Sequence, residues 1–327
     1  MKNITDLVKR LPSNLLIGAT RFSREQPDRR LVPTESWFVG QALGVRRVND
    51  RCVELEPYGN LVRNVYASSV GVLFVMGAGI SAAAWAVIPS ALPLDLWLIL
   101  LLFPWLMAAF GGVMYLCTRN LFGRFRGGFI RINRRTRKLY FVPPRDEHLM
   151  SLDWDDLEAM AGYIPIVSQA GYTSRHPLYL IGVDWDQTPP KEICVSCGNL
   201  GWRDNGESAR QLWDYLQIFM GEGPEALPKP PPVPPRLSRG QTFLRVYRDW
   251  AAKFRRDLST PKGKRWSPLL VPAKLLWLVC MTFPDSLAEV IEYDVPYTAF
   301  PKEIDELCGF VEKRTPVMRL NGERLDQ

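Results

Sequence analysis

Between Arg63 and Arg119 the only charged residue is Asp95, while Lys and Arg crowd both flanks of that gap. A bilayer core of about 30 Å takes about 20 apolar helical residues, so an uncharged run of this length constrains the fold more than any other feature of the chain. Two stretches of spanning length fit inside it, Ser68 to Ile88 ahead of Pro89 and Leu96 to Cys117 ahead of Arg119. The link from Pro89 to Asp95 is too short to hold a domain. Backbone amides in hydrocarbon must be satisfied within their own segment, so residues 67–118 are expected as an antiparallel transmembrane helical hairpin.

Charge placement orients the hairpin. Arg46, Arg47, Arg51 and Arg63 precede the first span; Arg119, Arg124, Arg126, Arg131, Arg134, Arg135, Arg137 and Lys138 follow the second; the link carries no Lys or Arg. The positive-inside rule then puts both termini of a multi-pass membrane protein in the cytoplasm. The start MKNITDLVKRLPSN has no continuous apolar region and is not a cleavable signal peptide, leaving the first span as the insertion signal. No ionisable residue sits mid-span, which argues against a proton relay or ion path. Small residues recur four apart (Gly77 and Ser81, Ala78 and Ala82, Ala82 and Ala86, Ala108 and Gly112), a spacing that lets helices approach closely within the hairpin or between copies, so a homo-oligomer stays open.

The rest of the chain is polar enough to fold in water, since over all 327 residues 47% are hydrophobic and 23% charged. Residues 1–66 form a cytoplasmic arm in which Ser36-Trp-Phe-Val-Gly and Cys52-Val-Glu-Leu-Glu read as short strands, expected to pack on the domain after the spans. In residues 119–222, Phe129-Ile-Arg-Ile-Asn and Lys138-Leu-Tyr-Phe-Val predict a hairpin with a basic tip, and further strands follow at Met150 to Trp154, Pro177 to Trp185 and Glu192 to Ser196. From Glu207 to Met220 the period turns helical, with Leu212, Trp213, Leu216, Phe219 and Met220 forming the apolar stripe. The fold class is therefore α+β: a transmembrane hairpin, an antiparallel β-rich domain closed by an amphipathic helix, and a helical C-terminal segment.

The strand pair Phe129 to Asn133 and Arg137 to Val142, followed by Leu152-Asp-Trp-Asp-Asp-Leu and a closing helix, resembles the bacterial pleckstrin-homology-like domains attached to membrane hairpins. The layout as a whole resembles an uncharacterised bacterial family of two-span inner-membrane proteins, some encoded near type VI secretion clusters. That resemblance implies an immunity or accessory role and a secreted toxin as the unknown protein partner. It assigns no functional residue.

Residues 223–236 are so proline-dense that they exclude helix and central strand and read as a stiff linker. Residues 237–327 form a basic, mainly helical segment. There Arg245, Arg248, Lys253, Arg255 and Arg256 surround an aromatic face containing Trp250, and Lys262, Lys264, Arg265 and Trp266 continue the run. A basic aromatic helix beside a membrane domain suits anionic lipid headgroups. Nucleic acid is not expected, because no recognised binding motif accompanies the charge. The stretch Leu269 to Phe283 is apolar, but Pro272 and Lys274 divide it and Pro284 stops it, so it predicts a buried or interfacial helix and no third span.

Catalytic chemistry is sparse. Cys194 and Cys197 make the only CxxC, without a second pair to complete a zinc site, and His148 and His176, the only histidines, read as surface residues. No metal or cofactor is expected. Carboxylates cluster at Asp153, Asp155, Asp156 and Glu158 and again at Asp184 and Asp186, which keeps open a membrane-surface enzyme or a lipid-headgroup adaptor. The leading expectation is a non-enzymatic protein whose cytoplasmic parts bind a protein partner, with Trp154, Tyr172, Trp185 and Trp202 as candidate aromatic anchors.

Overall fold

The computed structural model describes residues 8–24, 27–41, 43–87, 94–122, 126–144, 148–168, 171–198, 205–232, 237–293 and 295–310. In chain order its elements begin with β1 (Thr20–Arg21), α1 (Ser36–Gln41), β2 (Val45–Val48) and β3 (Cys52–Leu55). Two long helices follow, α2 (Tyr58–Val87) and α3 (Leu94–Phe122). The strands resume with β4 (Ile130–Asn133), β5 (Lys138–Phe141), β6 (Met150–Asp153), β7 (Glu158–Ala161), β8 (Ile164–Ser168), β9 (Gly171–Arg175), β10 (Leu178–Asp184) and β11 (Lys191–Cys197). The remaining helices are α4 (Glu207–Gly221), α5 (Arg239–Ser259), α6 (Pro261–Arg265), α7 (Ser267–Trp277), α8 (Phe283–Ile291) and α9 (Lys302–Cys308). The chain is thus a mixture of helix and sheet, and it divides into two units.

The first unit draws on three chain segments, 1–61, 126–234 and 296–313. Its five-stranded antiparallel sheet runs in the order β2-β3-β4-β5-β6, and a four-stranded sheet runs β1-β7-β10-β11, with β8 and β9 forming a separate hairpin. Register explains the core. Val48, Val53, Ile132, Leu139 and Leu152 stand in one row across five strands, and Val45, Leu55, Ile130, Phe141 and Met150 in the next on the same face. Those rows join residues of the second sheet and the stripe of α4 in one core, with Leu212, Leu216 and Phe219 fully buried. Arg134, at the tip of the β4–β5 hairpin, donates to the carbonyls of Met220 (3.3 Å) and Gly221 (3.1 Å) and so caps α4.

The opposite face of the larger sheet is also covered. Cys52, Phe129, Tyr140 and Val142 pack there with Phe300, Cys308 and Phe310. Asn49 fastens this cover by donating to the carbonyl of Cys308 at 2.8 Å. Part of the proline-rich run lies against the same unit: Ser36 Oγ donates to the carbonyl of Lys229 at 2.6 Å, and Leu227 is buried. The expectation of no helix in this run is corrected at its start, where Pro224–Ala226 form one 3-10 turn that a proline in the first position permits.

One local expectation is corrected. Ser36 to Gly40, read as a strand, lies in helix α1, whose first turn is set by Phe38 and Val39 donating to the carbonyl of Glu35. A short apolar run has no decisive period, and here the turn after Pro33 wins.

The second unit comprises residues 62–125, 235–295 and 314–327. Among the described residues, three helical stretches are long and apolar enough to cross a membrane: Tyr58–Val87, which starts just ahead of the unit boundary, Asp95–Cys117 and Ser267–Ile291. α2 and α3 run antiparallel, with Gly77 against Pro104, Gly111 against Val70, and Trp85 edge-on to Trp97 at 5.2 Å. Of the small residues singled out by spacing, Gly77 is at this contact; Gly112 faces open space and its neighbour Gly111 meets α2 instead. The third stretch is longer than expected. Helix continues through Pro272, and a single π-type turn at Leu278–Thr282 sets the backbone for Pro284, so neither proline ends it.

Candidate membrane and partner-binding surfaces

α5 starts with a capping box between Ser238 and Gln241 and carries its aromatic residues on one side by the 3.6-residue period. That side lies along the α7–α8 stretch: Ser286 Oγ donates to the carbonyl of Phe243, Arg245 pairs with Glu289, and Lys274 Nζ reaches Asp257 Oδ2 at 2.7 Å. The hydrogen bond from Lys274 holds the Asp257 carboxyl below the usual carboxylate range. Trp250 is half-buried and stacks on Phe254 at 5.1 Å. The aromatic face therefore packs on protein, while Arg248, Lys253, Arg255, Arg256, Lys262, Lys264 and Arg265 are exposed beside Trp266. Moving the four exposed cations of α5 itself into hydrocarbon would cost on the order of 10 kcal/mol at the 2.5–3.5 kcal/mol each that insertion scales assign. This surface suits headgroups and does not suit the bilayer core.

The candidate aromatic anchors have different fates. Trp154 is 3% exposed and packs on Trp213 at 5.1 Å, with the Arg24 guanidinium over both rings. Trp185, at the turn between β10 and β11, is 53% exposed. Trp202 and the side chain of Tyr172 lie outside the described residues. The turn that presents Trp185 is built by Asp184, a buried carboxylate that accepts from the Asp186 amide (3.2 Å) and from Gln187 (3.0 Å).

The carboxylates around the other Asp-Trp-Asp tripeptide face cations of the same surface. Asp155 accepts from Arg137 Nε at 2.7 Å, Asp153 lies 3.7 Å from Lys138, and Glu158 lies 3.4 Å from Arg21. The Arg137 hydrogen bond holds Asp155 below its ordinary range. Among the described residues no group of three His, Cys, Asp or Glu side chains gathers as a metal site. Cys194 and Cys197 lie three apart in β11 and so point to opposite faces. Burial, with Glu192 adding to it, pushes the Cys194 thiol up to about 12, and burial pushes Cys197 up as well, so both stay protonated and poorly nucleophilic. His148 is exposed, but His176, expected at the surface, is buried, with its ring nitrogens at 2.9 Å from the Gly162 carbonyl and 2.8 Å from Ser174 Oγ.

Sequence reading missed the most charged interior feature of the first unit. Glu54 is 0% exposed and sits directly between Arg47 of β2 and Arg131 of β4 in the sheet register. A bulge after Val45 turns Arg46 toward the same carboxylate. Arg46, Arg47 and Arg131 reach Glu54 at 2.9, 2.7 and 3.0 Å, and Arg131 also pairs with Asp305 of α9. Aromatic rings complete the cage: Arg46 lies 4.1 Å from the Phe129 centroid, Arg131 4.0 Å from Phe300 and Arg47 4.8 Å from Phe310. Burial alone would raise the Glu54 acid; Arg47, Arg46 and Arg131 outweigh it and hold the group lowered. The network ties the chain after residue 296 onto the sheet, which is a structural role. The alternation of β3 was the available signal, but its second face is buried only by residues far along the chain.

Compared with known proteins, residues 108–308 match the model of one family, described as a family of unknown function (DUF6708). No curated protein and no solved structure matches the chain.

Proposed function

We propose that this chain, which belongs to the DUF6708 family, is a membrane-anchored binding protein of the bacterial inner membrane. In this reading α2 and α3 cross the bilayer as a two-span hairpin with both termini in the cytoplasm. The first unit, a pleckstrin-homology-like domain, binds a protein partner there without turning over a substrate. The observation that carries the reading is the pairing of β3 with β4, because α2 and α3 lie between them in the chain. A folded sheet cannot be threaded through a bilayer, so the chain that leaves after β3 must return to the same side before β4, and two crossings satisfy that requirement. The strand meander, the second sheet and the closing helix α4 support the pleckstrin-homology-like assignment. Proximity to type VI secretion genes in similar-looking proteins makes a secreted toxin the partner we favour, and immunity the role.

Trp185 is the exposed anchor on which this reading relies. Trp185→Ala is expected to weaken retention of the partner roughly 30-fold, the size of a typical aromatic hot spot, and to leave the melting temperature unchanged. The full chain and the variant, purified in mild detergent from the native host, provide the comparison. Cells lacking the gene should also become sensitive to a sibling's toxin. Undiminished retention by the variant would remove Trp185 from the interface, and unchanged competition would remove the immunity role.

A further inference from the structure

Beside the Glu54 cage, the first unit holds a pair of buried thiols. Cys52 of β3 and Cys308 of α9 are both fully buried, in the cluster where Phe300, Cys308 and Phe310 cover the larger sheet. All six cysteines of the chain are free thiols. Asn49 clamps the two chain segments together at this point: its Oδ1 accepts from the Cys52 amide at 2.8 Å, and its Nδ2 donates to the Cys308 carbonyl at 2.8 Å. Asn133, directly opposite Cys52 in the sheet register, donates to Cys308 Sγ at 3.7 Å. Inside this frame the two thiols meet, with Cys52 donating to Cys308 Sγ. That hydrogen bond holds the Cys308 thiol below its ordinary range, and Asn133 and the Arg131 guanidinium act in the same direction. Burial pushes the Cys52 thiol up, so the proton stays on Cys52. One thiol is thus disposed to ionise and the other to follow, as an attacking and a resolving cysteine do. Cys308 ends a seven-residue helix and lies between exposed Leu307 and Gly309, so lifting that short element uncovers it without unfolding the sheet.

We propose that Cys52 and Cys308 are a modification site for hydrogen peroxide, forming a reversible disulfide that latches α9 onto the larger sheet. The Cys308 thiolate attacks one peroxide oxygen and the O–O bond breaks, leaving a sulfenic acid on Cys308 and a hydroxide that takes up the proton Cys308 had released. The Cys52 sulfur then attacks the Cys308 sulfur, the S–O bond breaks, and the second hydroxide leaves as water with the Cys52 proton. The two sulfurs together lose two electrons, and the peroxide gains them. Cys194 and Cys197, on opposite faces of β11, have no such partner in each other.

The test treats the full chain in mild detergent with hydrogen peroxide, alkylates the remaining free thiols under denaturing conditions, and analyses the peptides by mass spectrometry with and without reduction. A peptide pair joined through Cys52 and Cys308 and released by dithiothreitol is expected, with Cys194 and Cys197 still alkylated. The melting temperature of the first unit should rise by about 5–10 °C on oxidation, the effect of a cross-link that closes a long loop, and should return on reduction. Cys52→Ala and Cys308→Ser should each abolish the rise. Each variant is compared with itself before and after peroxide, so that any loss of packing cancels. Cys52 and Cys308 recovered alkylated, over-oxidised or joined to other cysteines would overturn the proposal. A Cys52–Cys308 disulfide that leaves the melting temperature unchanged would refute the latch.

Discussion

Glu54→Ala is expected to destabilise the sheet unit by about 3–5 kcal/mol, enough to unfold much of a domain of ordinary stability. The loss comes from what remains: Arg131, 3% exposed, and the half-buried Arg46 and Arg47 would be left around a site without its carboxylate. Asp155→Ala is the matched control, because the Arg137–Asp155 pair is exposed on both sides and should contribute at most about 1 kcal/mol. Thermal unfolding in detergent, followed by near-ultraviolet circular dichroism, separates the two. The same residue predicts a pH dependence. The folded-state pKa of Glu54 is lowered relative to the unfolded chain, so its stabilisation is fully present above the unfolded value, near 4.5, and is lost as pH falls through the folded one. Melting temperature should therefore fall on acidification below about pH 4.5, less steeply in Glu54→Gln. A Glu54→Ala melting curve superimposed on that of the parent would refute the structural role of the network.

The second large effect concerns helix contact. A Cβ at Gly111 would meet the Val70 Cα at 2.9 Å, and one at Gly77 would meet the Pro104 Cα at 2.8 Å; both obstacles are backbone atoms that cannot rotate away. Gly111→Leu and Gly77→Leu should each cost about 1–3 kcal/mol, as overpacking does, or force the helices apart. Gly79 and Gly112 lie in the same helices with open space around them, so Gly79→Leu and Gly112→Leu should leave stability nearly unchanged. Equal melting temperatures for all four variants in detergent would show that α2 and α3 do not pack through these glycines.

How much was legible in the sequence depended on whether the cause was local. The apolar helices were readable because hydrocarbon tolerates almost no charge, and Asp95 alone interrupts the long run. The stripe of α4 was readable because Leu212, Leu216 and Phe219 recur with the helical period. The buried side of Glu54 was not, since a glutamate alternating with Val53 and Leu55 looks solvent-facing until residues 296–310 cover it. Nor was the full length of the Ser267–Ile291 helix, because the sequence displays the prolines but not the π-type turn ahead of Pro284. Trp154 illustrates the limit for the candidate site: composition marks an aromatic as a possible anchor, and only the packing on Trp213 shows that it serves the core.

The central claim, a two-span anchor carrying a cytoplasmic sheet unit, is tested most directly by paired reporters. A phosphatase active only outside the cytoplasm and a fluorescent protein that matures only inside it are fused in turn at Leu92, within the link, at Arg135, in the β4–β5 turn, and at the C-terminus. We predict phosphatase activity at Leu92 alone and fluorescence at Arg135 and the C-terminus. Phosphatase activity at Arg135 or at the C-terminus, or fluorescence at Leu92, would contradict the account.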